Sequence, residues 1–310
     1  MNIPNLKELD YVVATLSFTD VLDPPTIRVF PKQYGKTERV PERREAVSVY
    51  DCRPIESELN LDGAGFELKK IPTKFTEFYS SEQVVKNYYP EVETEMEKTL
   101  SAHKVIVFDH NVRSRVRSDA GQPGVREPVD GAHNDYTVSS GPRRVREVLE
   151  QNNLSHLLSR RCALVNFWRP ITGPVFDCPI AVCDARTVQE EDFIPTRIEH
   201  YLEENIDVPN LTGEIYSFKH NVKHHWFYAS GMTPDEVMLL KCFDSSKEDH
   251  ACFTASLGSE SAAKAGSRAR FTDSLDPKSA AGACGRARFT ASLESKSAAI
   301  ACGRARFTAS

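Results

Sequence analysis

Long apolar runs are missing from this chain. Nothing approaches the 18 or so consecutive apolar residues of a membrane-spanning helix, so no membrane partner is expected. The N-terminal stretch Met1-Asn2-Ile3-Pro4-Asn5 lacks the basic and apolar regions of a secretory signal. The eight cysteines include no C-x-x-C pair, and the nearest two are Cys178 and Cys183. That scatter argues against a disulfide framework and fits reduced thiols in a cytoplasmic protein. A basic surplus is also absent: the net charge is −5, which gives nucleic acid no electrostatic foothold.

What remains is the material of a soluble domain. With 310 residues, 40% hydrophobic and 27% charged, the chain can build one large β-rich or mixed domain, or two ordinary ones. Residues 1–60 carry short β-rich runs (Tyr11–Leu16, Ala46–Tyr50) between proline-rich turns, and read as an N-terminal arm with peripheral strands. A helix is predicted over 82–101, capped by Ser80 or Ser81, then a buried strand at Val105–Phe108. The arginine-rich stretch Asn111–Pro128 reads as a mobile loop, placed as a lid over a site. Ser140-Gly141-Pro142 opens a helix. Further strands are predicted at 162–170, 180–184, 213–218 and 235–243, with a helix over 196–204. Many strands at short intervals, with helices bunched early, point to a jelly roll buttressed by helices.

The chemistry-bearing stretch is His133-Asn134-Asp135. Alternation along a strand puts His133 and Asp135 on one face, where imidazole and carboxylate supply two of the three ligands of an iron facial triad. On its own an H-x-D is equally a solvated polar turn. A third ligand is sought in Phe218–Tyr228, which holds His220, His224 and His225. Read as one strand, it places His220, Val222, His224, Trp226 and Tyr228 on one face. His224 is then the first choice and His225 points outward.

Several strings, Val165-Asn166-Phe167-Trp168-Arg169-Pro170-Ile171-Thr172-Gly173-Pro174-Val175, Pro179–Arg186, Met232–Val237 and Lys241–Ser245, resemble one family over roughly residues 10–254. It is the Fe(II)- and 2-oxoglutarate-dependent hydroxylase/desaturase family of secondary metabolism, which includes the fungal gibberellin desaturase, the aspergillic acid hydroxylase/desaturase and the small subunit of cephamycin 7α-methoxylation. The resemblance implies a mostly β, double-stranded β-helix (jelly roll) core with flanking helices over 61–254. Iron held by His133, Asp135 and His224, 2-oxoglutarate as cosubstrate and a small-molecule substrate follow from it too. The first histidine of the family pattern H-R-W-Y-Y falls on His224. The far carboxylate of 2-oxoglutarate needs a cation, for which Lys241 and Arg169 are the candidates. Trp168, Trp226 and Tyr228 are candidate pocket walls. A non-catalytic partner subunit of a biosynthetic enzyme, or a metal-dependent hydrolase on a similar barrel, are the alternatives.

The last fifth departs from that family. Phe253, Phe271, Phe289 and Phe307 recur every 18 residues among Ser, Ala and Gly, and residues 258–310 hold nine Lys/Arg against four Asp/Glu. Where the family carries a last strand R-E-S-I-E-V-R, only Lys296–Arg304 stands as an echo. Residues 255–310 are therefore expected to form a poorly ordered basic tail.

Overall fold

Residues 5–246 are described in the computed structural model, apart from 20, 22–24, 31–36, 39–41, 130, 177 and 203–204, together with 253–256 and 294–303. Among the described residues the strands are β1 (Tyr11–Thr19), β2 (Thr26–Val29), β3 (Thr37–Glu38), β4 (Glu42–Asp51), β5 (Phe66–Lys70), β6 (Lys104–Arg113), β7 (Val125–Arg126), β8 (His133–Asn134), β9 (Arg161–Pro170), β10 (Ile180–Cys183), β11 (Phe193–His200), β12 (Leu211–Phe218), β13 (Trp226–Tyr228), β14 (Glu236–Asp244), β15 (Phe253–Ser256) and β16 (Glu294–Gly303). The α-helices are α1 (Ser81–Gln83), α2 (Tyr89–Thr99), α3 (Arg115–Asp119) and α4 (Ser140–Gln151).

The strands make two sheets. Ten follow the order β1-β4-β13-β10-β15-β8-β12-β11-β2-β3, and six the order β5-β14-β9-β16-β6-β7. Strands β13-β10-β15-β8 face β14-β9-β16-β6, which is a jelly roll, a mostly β fold with a few helices on its outside. Strands β1 and β4 belong to the ten-stranded sheet through β13, so the stretch before residue 60 shares its hydrogen bonding.

Strand β9 shows why its sequence is a nearly unbroken apolar run: both of its faces are covered. Ala163, Val165 and Phe167 pack outward against a helical row of Val84, Tyr88, Val92, Met96 and Leu100. That row has a strict spacing of four, slightly longer than an α-helical turn, and a π turn over Val84–Tyr88 between α1 and α2 absorbs the mismatch. Ser80 caps the helix by accepting from Gln83 N. Two helix carboxylates then reach the adjoining strand: Glu93 accepts from Val107 N and Glu97 from Val105 N. On the inner face, Trp168 meets Ile180, Val182 and Phe227 of the facing sheet. Cys162 and Leu164, at the other end of that face, lie under Val145, Val148 and Leu149 of α4.

Four expectations are corrected. Residues 193–200 form a strand, because alternate burial and an eight-residue antiparallel pairing with β12 outweigh the helical reading of 196–204. The stretch 111–128 is shared among the end of β6, helix α3 and β7, where a loop was expected. Residues 218–228 are not one strand: β12 stops at Phe218, Asn221 turns the chain by accepting from Lys223 N, and β13 starts at Trp226. Finally, part of the repeat tail is ordered in the sheet. β16 lies between β6 and β9, with Ile300 fully buried opposite Leu164 and Ile106. Of residues 255–310, those other than 255–256 and 294–303 lie outside the described ones.

At the end of β9, Arg161 pairs with Asp244 and with Asp62 (2.9 Å), while the buried Lys241 Nζ lies 3.5 Å from Asp244 and 3.9 Å from Asp62. Burial pushes the Asp244 carboxyl up, yet hydrogen bonds from Arg161 and Ser246 N and the Lys241 charge bring it below its ordinary value.

Two outcomes follow. Replacing Ile300 with Ala should cost about 2–4 kcal/mol in denaturant unfolding, as expected for a buried side chain lost from a filled slot; an unchanged midpoint would mean that β16 contributes nothing to stability. The depressed Asp244 carboxyl contributes stability above a pH of about 4 that fades as pH falls through its folded-state value. Asp244→Asn should therefore be less stable at neutral pH and show a shallower loss below pH ~4, read from thermal midpoints across pH.

Candidate active site

His133 and Asp135 stand at one end of β8, where the backbone leaves the strand. His133 Nδ1 lies 2.8 Å from its own chain's Gly131 carbonyl oxygen. A carbonyl only accepts, so Nδ1 carries the proton and Nε2 presents its lone pair. That nitrogen is 3.6 Å from Asp135 Oδ1. The other carboxylate oxygen, Oδ2, accepts from Asn166 Nδ2 at 2.7 Å. Both side chains are thus oriented by a second hydrogen bond, and their remaining donor atoms converge.

The pair is anchored across the space between the sheets. Asn166 sits mid-way along the inner face of β9 and also donates to Cys242 Sγ at 2.9 Å. Asn134 Nδ2 donates to the Cys242 carbonyl at 3.0 Å, which ties β8 to β14. Thr137 then receives the amides of Ser139 and Ser140, starting α4 beside the site. Alongside His133, Ser217 of β12 and Thr254 of β15 are its direct strand partners.

His224 is not brought to this pair. Its ring stacks on Phe218 at 4.5 Å, and Phe218 belongs with Ala132 and Ala255 to the opposite face of the ten-stranded sheet. Its Nε2 is 2.9 Å from Asp192 Oδ2, and burial holds the imidazole's pKa below its ordinary value, so it donates to Asp192 as a neutral ring. The same-face placement fails because the chain turns between β12 and β13. Among the described residues, no three His, Cys, Asp or Glu side chains are grouped to hold a metal ion.

The two candidate cations also face away. Lys241 lies opposite Val165 and Arg169 follows Phe167, on the face of the six-stranded sheet turned toward α2. Lys241 is engaged with Asp244 and Asp62, whereas Arg169 donates to Tyr88 Oη at 2.6 Å and to the Pro234 carbonyl. Arg169 is thus hydrogen-bonded, whereas the buried Lys241 Nζ has ion-pair contacts only, with no hydrogen bond among the described residues. Of the aromatic candidates, Trp168 does lie between the sheets, whereas Trp226 and Tyr228 pack on the far face against Leu16 and Phe18 of β1.

Two signals in the sequence were passed over. Asn166, a polar residue in the middle of the apolar run Ala163–Trp168, marked a group that needs a buried partner. The other is His250, four residues ahead of Thr254 in the chain; it lies outside the described residues. Thr254 is paired with His133, so β15 is the strand that approaches the H-x-D pair from the side.

This donor set suits a ferrous ion: one imidazole Nε2 fixed by a backbone carbonyl, and one carboxylate oxygen whose twin is held by an amide. Comparison with known proteins agrees with that chemistry. The family described as Oxidoreductase/YMDC permease-like domain matches residues 13–271. Hydroxylase/desaturase efuI of Hormonema carpetanum is 29% identical over 76% of this chain and 83% of its own length. The alpha-ketoglutarate-dependent dioxygenase phiK of a fungal species is 31% identical over 63% of this chain and 69% of its own. Among solved structures, the iron and alpha-ketoglutarate-dependent endoperoxidase NvfI shares the fold with a TM-score of 0.75, at 18% identity, over 96% of this chain and 98% of its own. The chain therefore belongs to this oxidoreductase family, that of the hydroxylase/desaturases and 2-oxoglutarate-dependent iron dioxygenases of fungal secondary metabolism.

Proposed function

We propose that the chain hydroxylates or desaturates a small natural product at an iron held by His133 and Asp135, with 2-oxoglutarate as cosubstrate. The observation that carries this reading is the approach of His133 Nε2 to Asp135 Oδ1 at 3.6 Å, with each side chain oriented by a hydrogen bond at its other polar atom. We assign the third ligand to the segment entering β15, where the sequence offers His250, in place of His224. Fe(II) and 2-oxoglutarate, when bound, would supply electrons to activate dioxygen, the oxidant for attack on an unactivated C–H bond, as 2-oxoglutarate is oxidised to succinate and carbon dioxide. The protein's residues hold and shield: Gly131 fixes the imidazole tautomer, Asn166 fixes the carboxylate, and the apolar inner face around Trp168 and Leu240 keeps water from the reacting centre.

No described helix is long and apolar enough to cross a membrane. The scatter of the cysteines, with no C-x-x-C pair, supports a cytoplasmic working place.

Anaerobic titration with Fe(II) and 2-oxoglutarate, followed by succinate formation in air, tests the proposal. Folded wild-type protein should show the weak visible charge-transfer band. His133→Ala, Asp135→Ala and His250→Ala should each weaken Fe(II) binding on the order of a hundredfold or more, and Asn166→Ala about tenfold. His224→Ala should keep iron binding and lose stability. Retention of iron by His250→Ala with loss in His224→Ala would return the third ligand to His224. Folded protein without the band, active only as part of a complex, would make it a partner subunit, and oxygen-independent turnover with zinc a hydrolase.

A further inference from the structure

The tail strand brings a second reactive group to the sheet. Cys302 of β16 is the direct antiparallel partner of Cys162 on β9, and their sulfurs are 2.9 Å apart although 140 residues separate them in the chain. Both thiols are buried among Ile106, Leu164, Leu157 and Ile300. Directly opposed residues of an antiparallel pair have the Cα separation that a disulfide requires, so closing this contact to a bond asks for little backbone movement. Cys162 also lines a cavity of about 380 Å³ between the start of α4 and the end of β14, rimmed by Arg146 and Arg160. One of the two cysteines is therefore at the wall of a cavity that a small molecule could enter.

We propose that Cys162 and Cys302 form a reversible redox pair, which a peroxide converts into a cross-strand disulfide fastening the tail strand into the six-stranded sheet. The pair is asymmetric in the sense this needs. The hydrogen bond from Cys302 favours the thiolate of Cys162, holding its pKa below the ordinary thiol value. The same bond, together with burial, raises that of Cys302. Cys162 attacks one oxygen of the peroxide, the O–O bond breaks, and Cys162 becomes a sulfenic acid as one water or alcohol leaves. Cys302 then gives up its proton and displaces the sulfenic oxygen as a second water. Two thiols are oxidised by two electrons and one peroxide is reduced. By contrast, burial pushes the solitary Cys52 thiol up to about 12, which leaves it unreactive.

The consequence is mechanical. Strand β16 is joined to the remainder of its sheet through hydrogen bonds to β6 and β9 and the burial of Ile300. A covalent link across 140 residues closes a very long loop and restricts the unfolded chain.

The test uses the full-length chain, with chelator present to remove free iron. It is treated with a few equivalents of hydrogen peroxide, blocked with iodoacetamide in denaturant, and digested without reductant. A linked peptide pair containing Cys162 and Cys302, short by two hydrogens and separated by dithiothreitol, is expected, with Cys52 alkylated. The oxidised protein should melt about 5 °C or more higher. Cys302→Ser should instead leave a sulfenic acid on Cys162 that dimedone traps. Complete alkylation of both cysteines after peroxide, a Cys162 that ends as sulfinic acid, or a link from Cys162 to Cys284 would each overturn the proposal. Cys284 stands at the matching place of the preceding 18-residue unit, so that last outcome would mean a different unit occupies the slot.

Discussion

The hydrogen bond from Asn166 to Asp135 crosses the space between two apolar sheets, and much of the site depends on it. The carboxylate is partly buried there, so a hydrogen-bond donor at one oxygen offsets the loss of water around it. The amide does this while leaving one carboxylate oxygen toward His133. Asn134 supplies the matching tie in the other direction by donating to the β14 backbone. The short β8 is thereby fixed from three sides: by β12, by β15 and across the interior by β9 and β14. A two-residue strand gains a definite position that its own pairing alone would not give.

The inner face of β9 orders the whole interior. Cys162 and Leu164 are covered by α4, Asn166 holds the candidate ligand, and Trp168 joins the apolar floor. The outer face of the same strand does separate work, with Val165, Phe167 and Arg169 seated against the helix. One apolar run therefore serves two interfaces, and the two must be kept distinct when its polar residues are assigned roles. Arg169 and Lys241 belong to the outer set, the first hydrogen-bonded to Tyr88 and the second paired in charge with Asp244.

Apolar runs made β9, β10 and β14 legible, since burial on both faces leaves little freedom to be anything but strand. Ser80 marked a helix start because capping is local chemistry, and Pro142 marked another because its fixed φ suits a first turn. The jelly roll was readable too, and so was the nearness of His133 and Asp135, because residues two apart in extended chain are near each other whatever surrounds them. The position of His224 relative to that pair was not. Placing His224 required the eleven residues Phe218–Tyr228 to be a single strand, and one asparagine turn sent that histidine to the other side of the sheet. A distant ligand depends on which strand lies beside β8, and that is a matter of topology rather than of local pattern. The order β10-β15-β8 has no local signature.

Strand β16 is drawn from a run of near-copies. The stretches 258–267, 276–285 and 294–303 share the Ser-Ala-Ala centre, yet their positions matching Ile300 hold Lys264 and Gly282. The slot opposite Leu164 and Ile106 is closed and apolar. A lysine there would bury an unpaired charge, and a glycine would leave a void. The sheet thus selects among three competing segments of its own chain by the volume and charge of one side chain. Since the selected copy is the last of the three in the sequence, β6 and β9 must wait for it while two poorer fits have already been made. The gap between them is a place where the nascent molecule can take the wrong piece first and must exchange it.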